Sequence, residues 1–409
     1  MRTRETIGGA LIAGSFAVLA SCSSGSNQNP SDGGGGFTPP VDPGPGGILF
    51  AASGEVLALT GYAFPPANDG DPAFVDGWQV DFSRLLVTID KITLSSNPDL
   101  MPGDQSKTGS LVAEVDGPWA VDLAHSDSKN LPGKGGPGEQ AVPIVALKSQ
   151  NKNGNRSFAT DGTRYAFGFD VAKATSNALN VNLDAAAMAD YQQMVQEGCA
   201  VLYAGTATFK GGTVAGHTDC NTGHESWPKT VNFRFCFKSP TTYGNCQNPD
   251  NDPAQAFAGE EHERGVAFLG SQSVIGQVTI HTDHPFWDSV LHDSPAHFDQ
   301  FAARVLGQQD GGTPTATLEM TQGVDYTAYA DALGHPINWR YCIDPPIDVH
   351  GVVTGRMAFD PQSVAHATGG DPGTGLRDYY DFATYNQSTQ GHLNSDGLCA
   401  VERHYPSPL

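Results

Sequence analysis

The chain is short of positive charge: 22 Lys and Arg stand against 44 Asp and Glu in 409 residues, a formal net charge of −22. Nucleic-acid binding needs clustered cations that neutralise phosphates, so no nucleic-acid partner is expected. The acidic balance suits a solvated surface and attraction of cations. Cysteine is sparse, seven in all. No two cysteines stand in a CxxC spacing, which argues against a thioredoxin-like pair or a zinc ribbon. Methionine is rarer still, six with the initiator and no Met-rich run, so no thioether box for Cu(I) is expected. No GxSxG elbow and no HExxH helix occurs. The segment from Gly103 to Thr108 lacks the glycine before lysine that a phosphate loop requires, and the glycine-rich stretch Gly133 to Gly138 opens no helix. There is no internal repeat at a solenoid or propeller period.

The N-terminus carries the most specific pattern. Arg2 and Arg4 form a basic head, and Ile7 to Leu19 (IGGALIAGSFAVL) is apolar or small without a charge. Thirteen residues fall short of the roughly 20 that span a bilayer as a helix, and the combination reads as a secretory signal. Leu19-Ala20-Ser21-Cys22 follows. This stretch resembles the lipobox of bacterial lipoproteins, whose cysteine is acylated on sulfur and becomes the first residue of the mature chain. The resemblance covers only the first 22 residues or so. It implies that residues 1–21 are removed, that Cys22 is the lipidation site, and that the membrane is a partner through that lipid. Ser23 stands where an aspartate would favour inner-membrane retention, which implies a cell-envelope location at the outer membrane, facing the periplasm or the exterior. The alternative is an ordinary signal peptide with a chance cysteine. A single acyl chain binds a membrane only marginally, but the two or three that the resemblance implies would hold it lastingly.

Residues 22–47 are Gly, Ser and Pro-rich and contain almost nothing for a core. They read as a tether with a flexible-coil reach of about 25–30 Å. The globular body is then 48–409, ample for a large core and expected as one domain. Loss of residues 1–21 removes two Arg and one Glu, taking the formal charge from −22 to −23. Setting Cys22 aside leaves Cys199, Cys220, Cys236, Cys246, Cys342 and Cys399. An even number in an exported chain predicts disulfides, and the preferred pairing joins sequence neighbours: 199–220, 236–246 and 342–399.

Strand patterns dominate the body. Trp78 to Leu94 is the strongest, with Trp78, Val80 and Phe82 on one face. Leu85, Val87 and Ile89 follow out of phase, so a bulge or bend is predicted between Phe82 and Leu85. Further strands are predicted at Glu55–Phe64, Ser110–Val115, Arg164–Val171, Ala200–Phe209, Thr230–Phe237, Ser273–Thr282, Thr315–Met320 and Val352–Phe359. Two helices are expected. One is capped by Asp184 and runs from Ala185 to Glu197, stopping at Gly198. The other opens at Ser294 or Pro295 and uses Phe298, Phe301, Ala302 and Val305. Long Gly/Pro-rich loops fall at 126–141 and 239–259. The fold class is therefore mainly β, an antiparallel β-sandwich or barrel-like body with two short helices. Asp76-Gly77-Trp78 is similar to the strand openings of exported bacterial β-rich lipoproteins, a resemblance that implies no activity; Trp78 is expected in the core.

One stretch is chemically dense. In residues 280–299 (IHTDHPFWDSVLHDSPAHFD), four histidines and four aspartates fall close together. Imidazole nitrogens and a carboxylate oxygen suit Zn²⁺ or Cu²⁺. The candidate metal residues are His281, Asp283, His284, His292 and His297, with His262 able to join from a neighbouring position. The opposing expectation is that these residues only pin loops to the sheet. The turn-rich segment around His392 reads as a disulfide-stapled loop able to pack beside this cluster. Asp69-Gly70-Asp71 and Asp250-Asn251-Asp252 offer oxygen ligands for Ca²⁺, the less favoured ion, without the EF-hand pattern. Three functions stay open: a non-catalytic metal-binding lipoprotein, a structural or adhesive β-sandwich whose histidines are scaffold, and a metal-assisted hydrolase. No catalytic residue and no protein partner is assigned.

Overall fold

A strand that is apolar along its whole length needs cover on both faces, and Ile48–Ser53 is buried at every position. It lies inside a six-stranded sheet, parallel to Val274–Ile280 and antiparallel to Gln140–Leu147. Gly391–Leu393 and Gly397–Leu398 extend the sheet beyond Val274–Ile280. The computed structural model describes residues 37–212, 220–270, 272–288, 290, 292–308, 311–324, 341–343 and 376–404. The described residues belong to one compact unit.

An eleven-stranded sheet faces the first. Its main path runs Thr315–Thr317, Thr230–Phe237, Val201–Phe209, Trp78–Ser96, Asp161–Val171, Thr241–Gly244 and Ala400–Arg403. The two sheets meet where the Phe50 and Phe167 rings lie 5.9 Å apart. Gly276 leaves this contact room: a Cβ on it would come within 3.2 Å of the Phe167 ring. Each fully buried large side chain of this core contributes roughly 1.5–3 kcal/mol. The protein is mainly β and sandwich-like, and no sheet closes into a barrel among the described residues. Most pairings are antiparallel, but Ile48–Ser53 with Val274–Ile280 and Thr230–Phe237 with Thr315–Thr317 are parallel.

The long strand covers Trp78–Ser96 and slips register where its alternation slips. Gly205 pairs with Phe82 and Ala204 with Arg84, leaving Ser83 as the extra residue of a bulge. The Asp184 carboxylate accepts the Ala187 N–H at 2.7 Å and starts the helix Ala185–Glu197. That helix ends at Gly198 with φ 80°, a left-handed stop that favours glycine.

Several expectations are corrected. Glu55–Thr60 is a short helix rather than a strand. A brief apolar run fits either period, and here Gly54 and Gly61 bracket a single turn. Only its far end pairs as a strand would, with Tyr62 opposite Val80. The second expected helix begins later, at Asp299–Ala302, and continues as a 3₁₀ turn through Val305. The Asp76 carboxylate accepts both Phe298 N–H and Asp299 N–H at 2.7 Å and so fixes that start. The strand at Thr315 stops at Thr317 and gives way to a 3₁₀ turn. A fourth helix, Tyr379–Gln387, was not expected; Asp378 caps it through the Asp381 N–H. The predicted strand Val352–Phe359 lies outside the described residues.

All six body cysteines are bonded, but not to their sequence neighbours. The pairs are Cys199–Cys236, Cys220–Cys342 and Cys246–Cys399. Cys199 lies just before the strand whose Leu202 pairs with Cys236, and the Cys199 and Cys236 Cα atoms are 5.3 Å apart.

Candidate metal centre

The chain leaves the strand Val274–Ile280 at His281, and Pro285 turns it into the 3₁₀ segment His284–Phe286. It then folds back, since Trp287 bridges to Ala296 and His297 N–H reaches the Phe286 carbonyl at 2.9 Å. This return divides the histidine-rich stretch into two groups. His284 and His292 fall on one side, with His392 brought in by register: it pairs with Thr279 on the neighbouring strand.

His284, His292 and His392 each offer a ring nitrogen, and the three nitrogens lie within 4.8 Å of one another. The partners of each ring decide which nitrogen carries its proton. The Thr389 hydroxyl donates to the Asn386 carbonyl at 2.7 Å, so it accepts from His284 Nδ1–H, also at 2.7 Å. His392 Nε2–H donates to the Thr389 carbonyl at 3.2 Å. His292 Nδ1 lies 3.2 Å from the Asp293 carboxylate and donates to it. That leaves lone pairs on His284 Nε2, His292 Nε2 and His392 Nδ1. All three atoms are buried and have no hydrogen-bond partner. Buried polar atoms are nearly always satisfied, and three orphaned acceptors in one cluster suit a cation.

Electrostatics favour the neutral, ligating form. Burial, reinforced by the neighbouring histidines, holds His284 and His392 well below the ordinary histidine range. The hydrogen bond from His292 keeps Asp293 below the usual carboxylate range, against burial. His281 behaves differently. Its Nε2 donates to the Ser395 carbonyl at 3.0 Å and its Nδ1 lies 3.6 Å from Glu55. Burial opposes its charge, but Glu55 and Asp283 outweigh burial and raise it. Burial pushes the Glu55 carboxyl up to about 7. The His281 ring packs at a tilt against His392, with centroids 4.1 Å apart, and its ligand atoms also group with Asp283 and His284 and with Glu55 and Asp396. Asp283 accepts from Trp287 Nε1 at 3.1 Å, and the Trp287 ring stacks on His284. Backbone strain gathers here too: Glu55, Asp293, Asn394 and Ser395 all have positive φ, as residues at functional sites often do.

The remaining two candidates are elsewhere. His262 belongs to none of the groups of mutually close ligand atoms among the described residues, and its backbone N–H is held by Gln247. His297 sits in a second buried cluster, 3.3 Å from Asp288 and 3.9 Å from Asp76. In that cluster Asp299 accepts from Trp78 Nε1 at 2.8 Å and lies 2.7 Å from His224. Burial, helped by the Asp299 charge, raises the Asp76 carboxyl to about 7. The Asp-rich loops have protein donors of their own: Asp71 takes the Asn68 N–H, and Asp250 takes the Lys134 ammonium at 2.7 Å.

A cavity of about 500 Å³ adjoins the three-histidine group. His292, His392, Trp287, Gln247, Glu260 and Arg264 are among the residues that line it.

No protein-family model, curated protein or solved structure matches this chain. The chemistry of the site is therefore read from its own residues. His392 is the third ring of the cluster, which the 280–299 stretch does not contain, and Thr389 bonds two of the three rings.

Proposed function

We propose that this protein is an exported, membrane-tethered lipoprotein that binds one divalent transition metal, Zn²⁺ or Cu²⁺, through His284, His292 and His392. The observation that carries the metal reading is the set of three buried imidazole lone pairs without a partner. Each ligand ring donates its other N–H to an oxygen, the outer-shell arrangement that orients histidines on metals. An ion bonded at about 2.0–2.1 Å to each nitrogen draws the rings together by no more than about an ångström. The tether reading rests on the signal-like segment and Cys22, with residues 22–47 as the spacer. No helix among the described residues is long and apolar enough to cross a membrane, and the proposed anchor needs none.

Elemental analysis of protein purified without a histidine tag tests the metal. About one equivalent of Zn or Cu per chain is expected, lost in His284→Ala/His392→Ala and kept in His262→Ala. Metal-free protein under replete conditions would leave the scaffold reading. Metabolic labelling with palmitate tests the anchor: label should enter the parent and be absent from Cys22→Ser.

A further inference from the structure

We infer that the metal on His284, His292 and His392 keeps one exchangeable position open to the adjoining cavity, and that this position takes a small oxygen-donor anion of the carboxylate class. The inference rests on the metal reading above and extends it to a ligand.

Coordination number is the first reason. Zinc centres with three protein ligands complete a fourth position with water or another ligand. Three neutral imidazoles leave the double charge of the ion uncompensated among its protein ligands, so an anion is favoured there. The nearby carboxylates are otherwise engaged. Asp293 accepts from His292 Nδ1, and Glu55 faces His281. Asp283 is the nearest competitor, with one oxygen free of partners. Its ligand atom groups with those of His281 and His284 but not with those of His292 and His392, and it does not line the cavity.

The cavity is the second reason. Two of the three ligand rings are part of its wall, and its volume of about 500 Å³ is that of a small-molecule site. Gln247 lines the same space and is 3% exposed. Its Oε1 accepts from the Glu261 and His262 N–H groups at 2.9 and 3.0 Å. That fixes the amide orientation and leaves Nε2 as a donor with no acceptor among the described residues. Glu260, on the same wall, is neutralised by Arg264 through contacts of 2.8 and 3.1 Å. An anion held on the metal in this cavity would have an amide N–H among the lining groups and no unpaired carboxylate among them.

The test uses the full chain loaded with Co²⁺, whose visible bands report its ligands, with cobalt content measured first. Acetohydroxamate and acetate are the probes. One Co²⁺ per chain is expected, with bands that shift saturably as acetohydroxamate is added. Gln247→Glu keeps both acceptor contacts to the 261–262 backbone, and its fold is checked by circular dichroism. It should bind Co²⁺ normally but hold acetohydroxamate about tenfold or more weakly, having exchanged a donor for a charge. Stoichiometric Co²⁺ with bands indifferent to both probes would mean a fourth ligand from the protein, overturning the open position while the metal reading stands. Equal affinity of parent and Gln247→Glu would overturn the role of Gln247. Failure to bind Co²⁺ would remove the metal reading itself, and this inference with it.

Discussion

Replacing Thr389 by valine removes one oxygen at nearly constant volume and isolates what that oxygen does. The hydroxyl is the acceptor for His284 Nδ1–H, and the backbone carbonyl of the same residue is the acceptor for His392 Nε2–H. In Thr389→Val the carbonyl remains and the hydroxyl does not. His284 is then free to move its proton to Nε2, the nitrogen that faces no partner, or to rotate away from the other two rings. Loss of such an outer-shell contact lowers metal affinity about 10–100-fold, equivalent to roughly 1.4–2.8 kcal/mol. A buried N–H left without an acceptor costs about 1–3 kcal/mol in the metal-free protein as well. Competition for Zn²⁺ against a chromogenic chelator near neutral pH measures the first quantity, and urea unfolding the second. Thr389→Ser restores the hydroxyl and should bind like the parent. If Thr389→Val holds Zn²⁺ within about threefold of the parent, the tautomer assignment on which the site was built is wrong.

Other outcomes follow from the fold. Cys199→Ala/Cys236→Ala opens a loop of 37 residues and should lower the urea-derived stability by roughly 3–4 kcal/mol; non-reducing peptide mapping of the parent should return the three pairs 199–236, 220–342 and 246–399. Gly205→Ala places a Cβ against the Asp81 carbonyl and the Phe233 ring opposite the Ser83 bulge, and should destabilise by about 1–3 kcal/mol; an unchanged urea midpoint would contradict that packing. The Asp76 carboxyl, raised by burial to about 7 in the folded state, contributes stability that is complete below the ordinary aspartate range and lost as pH rises from there to about 7. Asp76→Asn cannot ionise and still offers an oxygen to the Phe298 and Asp299 N–H groups, so its urea midpoint should fall less between about pH 5 and about pH 8 than that of the parent; parallel slopes would refute this.

The elements legible in the sequence are those whose signal is local. The Trp78–Ser96 strand and its bulge follow from a period of two that breaks at Ser83, and the Ala185–Glu197 helix from its own cap and stop. Glu55–Thr60 was misread because six apolar-rich residues fit a turn of helix as well as a strand. Tyr379–Gln387 was missed because it is buried almost all round and shows no polar face to set a period. Cysteine identity was readable but partnership was not, since partners meet only in the folded chain and lie as many as 153 residues apart. The site divides in the same way. The richness of residues 280–299 marked the region, but the return of the chain at Trp287 sends His297 to a different cluster from His284 and His292. His392 arrives from the next strand, a neighbour only in three dimensions.

The bond between Cys246 and Cys399 gives the donors a shared topology. His284, His292 and His392 all lie inside the covalent ring it closes. While the thiols are reduced, rings far apart along an open chain must find one another, at an entropic cost that grows with the logarithm of the intervening length. Once the sulfurs join, much of that search is already complete. On the proposed metal reading, capture would be tied to oxidation, and a thiol reductant in the purification buffer would act on the imidazole cluster without touching a single imidazole.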